Sequence, residues 1–371
     1  MGPIGLEEIK HNVVPCFDMK GEVVEVIPFG SGHINDTLRV TCKEEDGSVN
    51  RYILQRMNHE IFKNPAQLME NVVHVTAFLR DQIQAAGGDV NRETLNVIQT
   101  RDQANFMSDE NGDYWRTYLC IENAVSYDLV ESAEDFYKSA VAFGQFQRKL
   151  AEYPAATLYE TIPNFHNTVD RFAKFKQALE EDICGRAKDV QEEIQFVLER
   201  EAFCHLICDA LDKGELPLRV THNDTKLNNV MFDDKTGEVL CVVDLDTVMP
   251  GSALYDYGDS IRFGATTGAE DEQDLELVNF DLELFEAFTK GYVEGCGGSL
   301  TEKEIRMMPV GAKMMTLECG MRFLTDHLQN DVYFKIHREN HNLDRCRTQF
   351  KLVADMEARW DEMAAVVEKY I

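Results

Sequence analysis

The chain has 371 residues, of which 44% are hydrophobic and 9% aromatic, and its formal net charge is −29. That length suits two hydrophobic cores rather than one, and the composition is that of a folded chain, not a disordered one. The acidity argues against nucleic acid or an anionic membrane as partner, since both select basic surfaces; the acidic runs read as solvated helix faces.

The first seventeen residues lack a basic segment followed by an apolar core, so no secretory leader is expected. No apolar run reaches the ~18 residues that span a bilayer. Ten cysteines without framework spacing read as reduced thiols of a cytoplasmic protein.

Taken in order, Leu6, Ile9 and Val13 give a short helical lead-in up to about Met19. From Gly21 the period changes to two. GEVVEVIPF, TLRVTC and RYILQRM read as three antiparallel strands, with DGSVN turning between the last two. Between the first two strands lies FGSGHINDT, where Gly30 and Gly32 make a loop whose backbone amides can approach phosphate.

The third strand offers Gln55 and Arg56 where the kinase pattern has a lysine. Strand alternation sends the two side chains to opposite faces, and the charged Arg56 is the candidate for the nucleotide site. Asn64-Pro65 then caps a helix through about Ala86, with Leu68, Val72, Val75, Leu79 and Ile83 as its apolar stripe. Glu70 projects off that stripe and reads as solvated. TLNVIQT and YWRTYLCI follow as further strands, with SDENGD as a turn.

The chain leaves the sheet through Glu122-Asn123-Ala124, which places a domain boundary after Ile121: an N-terminal lobe over 1–121 and a C-terminal lobe over 122–371. Beyond it the pattern is helical over about 133–152, 169–183 and 190–213. TIPNFHNT is a connector in which His166 reads first as a packing residue. Helices are expected again at about 275–294, from a capping box at Ser299 through Leu328, and over about 344–370.

The most informative stretch is VTHNDTKLNNVMFDDKTGEVLCVVDLD, residues 220–246. It reads as a loop followed by a hairpin, with turn chemistry at Asp233 to Gly237 and its polar residues at strand ends. H-x-D-x-x-x-x-N followed by an apolar strand ending in D-x-D matches the catalytic loop and metal-binding aspartate of kinases. Phosphoryl transfer needs these types: Asp224 to accept the proton of an attacking hydroxyl, Lys226 near the transferred phosphoryl, and hard oxygen ligands for Mg²⁺ from Asn229, Asp244 and Asp246. Set beside that loop, Gly30 and Gly32 become phosphate binders, and Glu122 with Asn123 becomes a hinge whose backbone reads adenine.

The HNDTKLNNV loop, VVDLDTVMPG and YDYGDSIRFGA resemble the aminoglycoside phosphotransferase and choline kinase superfamily, most closely its N-acetylhexosamine 1-kinases. The resemblance extends to FGSGHIN, YILQRMN, TIPNFHNT and RFLTDHLQNDVYFK. It implies a protein-kinase-like α/β (α+β) fold with a small antiparallel-sheet N-lobe and a larger helical C-lobe, using ATP and Mg²⁺. It further implies that Asp256 holds the catalytic loop through backbone amides, with Asp259 the second candidate. His33, Arg322, Asp326 and Tyr333, together with Asp224, would bind a sugar whose anomeric hydroxyl is phosphorylated. An aminoglycoside or choline kinase, and a nucleotide-binding pseudokinase scaffold, remain the alternatives.

Overall fold

The computed structural model describes residues 5–30, 34–127, 130 and 132–371. The chain forms two compact units, Met1–Val125 with Phe232–Asp246, and Ser126–Met231 with Thr247–Ile371. The first unit thus runs four residues beyond Ile121 and reclaims a hairpin from much later in the chain.

In the first unit, helix α1 (Leu6–Asn12) precedes strands β1 (Glu22–Pro28), β2 (Asp36–Lys43) and β3 (Val49–Met57), helix α2 (Pro65–Ala85), and strands β4 (Val97–Ile98), β5 (Met107–Ser108), β6 (Tyr114–Leu119) and β7 (Ala124–Val125). The main sheet is antiparallel in the order β1-β2-β3-β6-β4, with β5 also on β6. Alternation buries Leu38, Val40, Cys42, Tyr52, Leu54 and Trp115 on one face, where Ile9, Val13 and Phe17 complete the core. Helix α2 opens where the Asn64 side chain accepts from the Gln67 amide, and its stripe from Leu68 to Ile83 is buried.

The second unit carries α3 (Ala133–Lys149), α4 (Thr168–Glu181), α5 (Gln191–Leu198), α6 (Glu201–Cys204), α7 (Leu206–Asp212) and strand β8 (Arg219–Thr221). Strand β9 (Val230–Asp233) then leads into the first unit, where its last residues pair with β7, and β10 (Val239–Val242) returns alongside it. Back in the second unit come β11 (Met249–Gly251), paired with β8, and helices α8 (Ala253–Gly264), α9 (Leu282–Cys296), α10 (Glu302–Arg306), α11 (Met308–Leu328), α12 (His341–Ala358) and α13 (Trp360–Glu368).

Four helix expectations change: the one over 344–370 is two helices, α12 and α13, parting at Arg359 with φ −110° and ψ 21°, and the other three have local reasons. The run over 190–213 is three helices: Arg200 leaves helical geometry to stack on Phe196 and pair with Glu357. The helix expected from 275 starts at Leu282, where Asp281 caps the amides of Glu283 and Leu284, and residues 275–277 form only a 3₁₀ turn. The capping box is Thr301 with Glu304 rather than at Ser299, and Pro309 opens a separate α11.

Helices α8 and α11 approach at glycines. A Cβ on Gly258 would overlap the Gly311 carbonyl oxygen and come within 2.6 Å of Met315 Cγ, while one on Gly311 would lie 2.8 Å from the Leu254 carbonyl oxygen. Backbone on both sides leaves nothing to yield. Gly258→Ala is therefore expected to cost about 1–3 kcal/mol of stability, read from urea unfolding, as overpacking of a close-packed site does.

Candidate active site

The stretch after β8 is pinned from below by one buried carboxylate. Asp256, on the first turn of α8 and 1% exposed, accepts the His222 amide at 2.9 Å on Oδ2 and the Asn223 amide at 2.8 Å on Oδ1. Gln147 on α3 donates to the same Oδ2 at 3.0 Å. Burial raises the Asp256 pKa, and these donors with His222 only partly offset the rise. One turn on, Asp259 accepts the Thr225 amide at 3.2 Å.

These anchors hold Asn223 at φ +65°, a left-handed conformation that asparagine tolerates better than most residues. Its side chain donates to the Thr247 carbonyl at 2.8 Å. The chain therefore turns sharply just before Asp224.

Asp224 is half-buried, and its carboxylate is set between two neighbours. Lys226 Nζ lies 2.9 Å from Oδ1, and Asn229 Nδ2 lies 3.2 Å from Oδ2 and 2.8 Å from the Asp224 carbonyl. Burial pulls the Lys226 pKa down, but Asp224 and Asp259 outweigh it and the net shift is upward, so the ammonium stays charged. Because Asn229 engages its neighbours through nitrogen, its Oδ1 is the end suited to a hard cation. Asp224, Lys226 and Asn229 are thus brought together within the second unit.

Asp244 and Asp246 belong to the first unit and behave differently from each other. Asp244 is exposed, at φ +59°, at the end of the β10 strand. Asp246 is buried and ion-paired to Arg116 on β6, with Asn35 donating to its other oxygen at 2.7 Å. Exposure to solvent suits Asp244 to a metal ligand, whereas Asp246 is buried, with the Arg116 guanidinium against one oxygen and Asn35 on the other, which suits it to anchoring.

Arg56 does not occupy the position expected of it. The register pairs Asp36 with Arg56 and Arg56 with Trp115, so Arg56 shares the face that packs on α1, where Asp36 at 2.6 Å and Asp113 at 2.8 Å hold its guanidinium. Gln55 takes the other face, beside Thr37 and Arg116. Glu122 and Asn123 are likewise engaged: both carbonyls accept from Arg92, the Glu122 carboxylate pairs with Arg51 at 3.0 Å, and the Asn123 carbonyl also accepts the Asp234 amide. Gly30 sits at φ +78° with open space where a Cβ would be; Gly32 and His33 lie outside the described residues.

The remaining candidates gather on α11 and the segment after it. Arg322 lies over the rings of Phe165, Tyr333 and Phe334 at 5.4–5.7 Å, with Tyr333 Oη 3.5 Å from its Nη2. Asp326 points elsewhere. Its carboxylate accepts the amides of Val332, Tyr333 and Phe334 and the Asn342 side chain, so it shapes the turn that presents Tyr333 and has no oxygen left over for a sugar.

Glu318, the partner of His166, went unremarked in the sequence. Glu318, 1% exposed on α11, lies 3.1 Å from His166 Nδ1 and 4.0 Å from Arg322. Burial pushes its pKa up, but His166 and Arg322 with Arg171 hold the net below the usual 4.5. A lone glutamate within the apolar run MMTLECGM was the available signal.

Because the folded protein binds the Glu318 proton less tightly than the unfolded chain, this carboxylate stabilises the fold above about pH 4.5, and that contribution is lost as pH falls through its lowered folded value. Glu318→Gln should therefore melt lower than wild type at pH 7, with the gap narrowing at pH 4 and below. Thermal melts across that range check it.

A model of the phosphotransferase enzyme family matches residues 25–291, well over half of the chain. Among solved structures, an aminoglycoside phosphotransferase from Alicyclobacillus acidocaldarius is similar at a TM-score of 0.61 and 12% identity, covering 100% of this chain and 97% of that one. A microcompartment-associated aminopropanol kinase gives 0.56 at 14% identity over 95% and 96%, and a choline/ethanolamine kinase family protein from Mesorhizobium loti 0.52 at 18% over 94% of each. Identities this low speak for the fold: a small antiparallel sheet and a larger helical part in the two-lobed, protein-kinase-like arrangement. With the family model spanning both the sheet and the Asp224 loop, the chain belongs to the phosphotransferase enzyme family.

Proposed function

We propose that the protein transfers the γ-phosphoryl group of ATP to a hydroxyl of a small neutral acceptor, an N-acetylhexosamine at its anomeric position being the best fit. The observation that carries the phosphotransfer reading is the Asp224 carboxylate, fixed between Lys226 and Asn229 on a loop whose amides are tied to Asp256. A carboxylate so placed accepts the proton of an attacking hydroxyl, and the charged Lys226 stands ready to neutralise the phosphoryl group as it transfers.

By residue type, Asn229 in the second unit and Asp244 in the first each offer a hard oxygen of the kind that would hold Mg²⁺; when bound, that ion neutralises phosphate charge. Phosphoryl transfer asks little covalent chemistry of the protein. Its own residues position and screen, and the rigid loop serves both ends.

The acceptor assignment rests on the surroundings of Arg322. Three aromatic rings there could have caged a quaternary ammonium, but the guanidinium of Arg322 already lies over them. Arg171 stands close enough that burial, together with Arg322, lowers its pKa. A choline or polyamine acceptor would meet like charge, whereas a hydroxylated neutral ring finds donors and an aromatic face in Arg322 and Tyr333. The resemblance of RFLTDHLQNDVYFK to the hexosamine kinases points the same way.

An ADP-release assay with N-acetylglucosamine, N-acetylgalactosamine, kanamycin and choline tests both parts. Turnover is expected with an N-acetylhexosamine and not with the two cations, and Asp224→Asn should lower it by at least about 100-fold. Faster turnover of kanamycin or choline would defeat the acceptor assignment. An undiminished Asp224→Asn enzyme would defeat the base assignment.

A further inference from the structure

The first unit carries an arginine in an unusual setting. Arg116 lies in the middle of β6, only 1% exposed, in a strand whose other residues are mostly aromatic or aliphatic. A cation there is costly unless it is paired and hydrogen-bonded. Arg116 is both: Nη1 lies 2.5 Å from Asp246 Oδ1, while Nε and Nη2 donate to Gln55 Oε1 at 3.0 and 2.9 Å. Gln55 passes the contact on, donating to Thr37 Oγ1 at 3.0 Å.

The other oxygen of Asp246 is held by Asn35, which follows the glycine loop, and Asn35 Oδ1 accepts the Asn58 amide at 2.9 Å. Asp246 is thus fastened at two points, one on β6 and one at the start of β2. It opens out of Asp244 through a single residue, in the short 3₁₀ turn Leu245–Thr247. Asp244 is near enough for its charge, with that of Asp246, to raise the Arg116 pKa against the lowering effect of burial.

We infer that Arg116 is a positioning residue for the metal-binding segment: it clamps Asp246, so that Asp246 anchors the D-x-D turn and Asp244 alone of the two presents its carboxylate to a divalent cation. This rests on the ATP-dependent kinase reading above. The clamp also accounts for the uncharged Gln55 on the face where a strand lysine would be expected. The cation has moved to the neighbouring strand, directly across the register from Gln55, and acts on the protein's own carboxylate rather than on phosphate. Asn35 extends the same clamp to the loop between β1 and β2.

Calorimetric titration of the full-length protein with ADP, with and without Mg²⁺, tests this independently of any acceptor. Wild type is expected to bind ADP more tightly with Mg²⁺, and Asp244→Asn to lose that gain. Arg116→Met alone, which strands a buried carboxylate, should weaken the Mg²⁺-dependent gain by about 10–100-fold, as loss of an outer-shell partner of a metal ligand does. Arg116→Met combined with Asp246→Leu removes both charges and leaves an apolar contact to hold the turn in place of the ion pair, so it should recover the gain to within about tenfold of wild type, a buried pair replaced together by packed apolar residues being far less costly than one partner removed. Arg116→Lys, a milder change should the double variant not fold, should fall between wild type and Arg116→Met.

A folded double variant as deficient as Asp244→Asn would make Asp246 a ligand and overturn the inference. So would Arg116→Met with an unchanged gain, or Arg116→Lys no better than Arg116→Met. No Mg²⁺-dependent ADP binding by wild type would overturn the nucleotide reading itself, and the clamp with it.

Discussion

The geometry of the Asp224 loop depends on one buried carboxylate behind it. Asp256 is almost fully buried and accepts two consecutive backbone amides, those of His222 and Asn223, together with the Gln147 amide. Two adjacent N–H groups converge on one carboxylate only if the chain bends, and the bend puts Asn223 in the left-handed region. Asp224 follows at once and has one direction in which to point. Burying the Asp256 charge is unfavourable, as its raised pKa records, and His222 with the donors fixed by the loop and by α3 offsets only part of that cost. The same helix places Asp259 on Thr225, so α8 governs the loop at two points one turn apart.

The sheet unit follows the opposite logic, with charge buried in pairs rather than held on backbone. Arg56 and Arg116 lie on adjacent strands and opposite faces, and each is surrounded by acceptors: Asp36 and Asp113 for the first, Asp246 and Gln55 for the second. Each pair joins segments distant in sequence. Asp246 comes back to β6 from 130 positions further along the chain, through the hairpin that the first unit reclaims. Such pairs add little net stability over apolar packing, but they fix which segment sits where.

Much of this was legible from residue pattern. Period-two runs located β1, β2, β3 and β6, and the Asn64-Pro65 cap and the apolar stripe located α2. The spacing of Asp224, Lys226 and Asn229 was enough to single out a loop that the fold gathers into one cluster. What escaped were matters of register and face. Alternation alone left open which of Gln55 and Arg56 lay on which side, and charge suggested the wrong one, because the partners that decide it, Asp36 and Asp113 against Arg116, sit on other strands. Asp326 was misread for the same reason: an acid four residues from Arg322 suggests a polar cluster, and only the chain's turn after α11 reveals three amides already on its oxygens.

Composition misleads most where function is concerned. A net charge of −29 would suit a cationic acceptor if it described the site. Around Arg322 the balance is otherwise: Arg322 and Arg171 stand together near Glu318, and burial together with the second guanidinium depresses the Arg171 pKa despite Glu318 and Asp170. A buried arginine neighbour acts at short range in a medium that screens poorly, whereas acidic helix faces lie in water, where a charge beyond about 10 Å is largely screened. On the proposed reading, in which the acceptor meets Arg322, these few groups rather than the overall charge set the field it encounters.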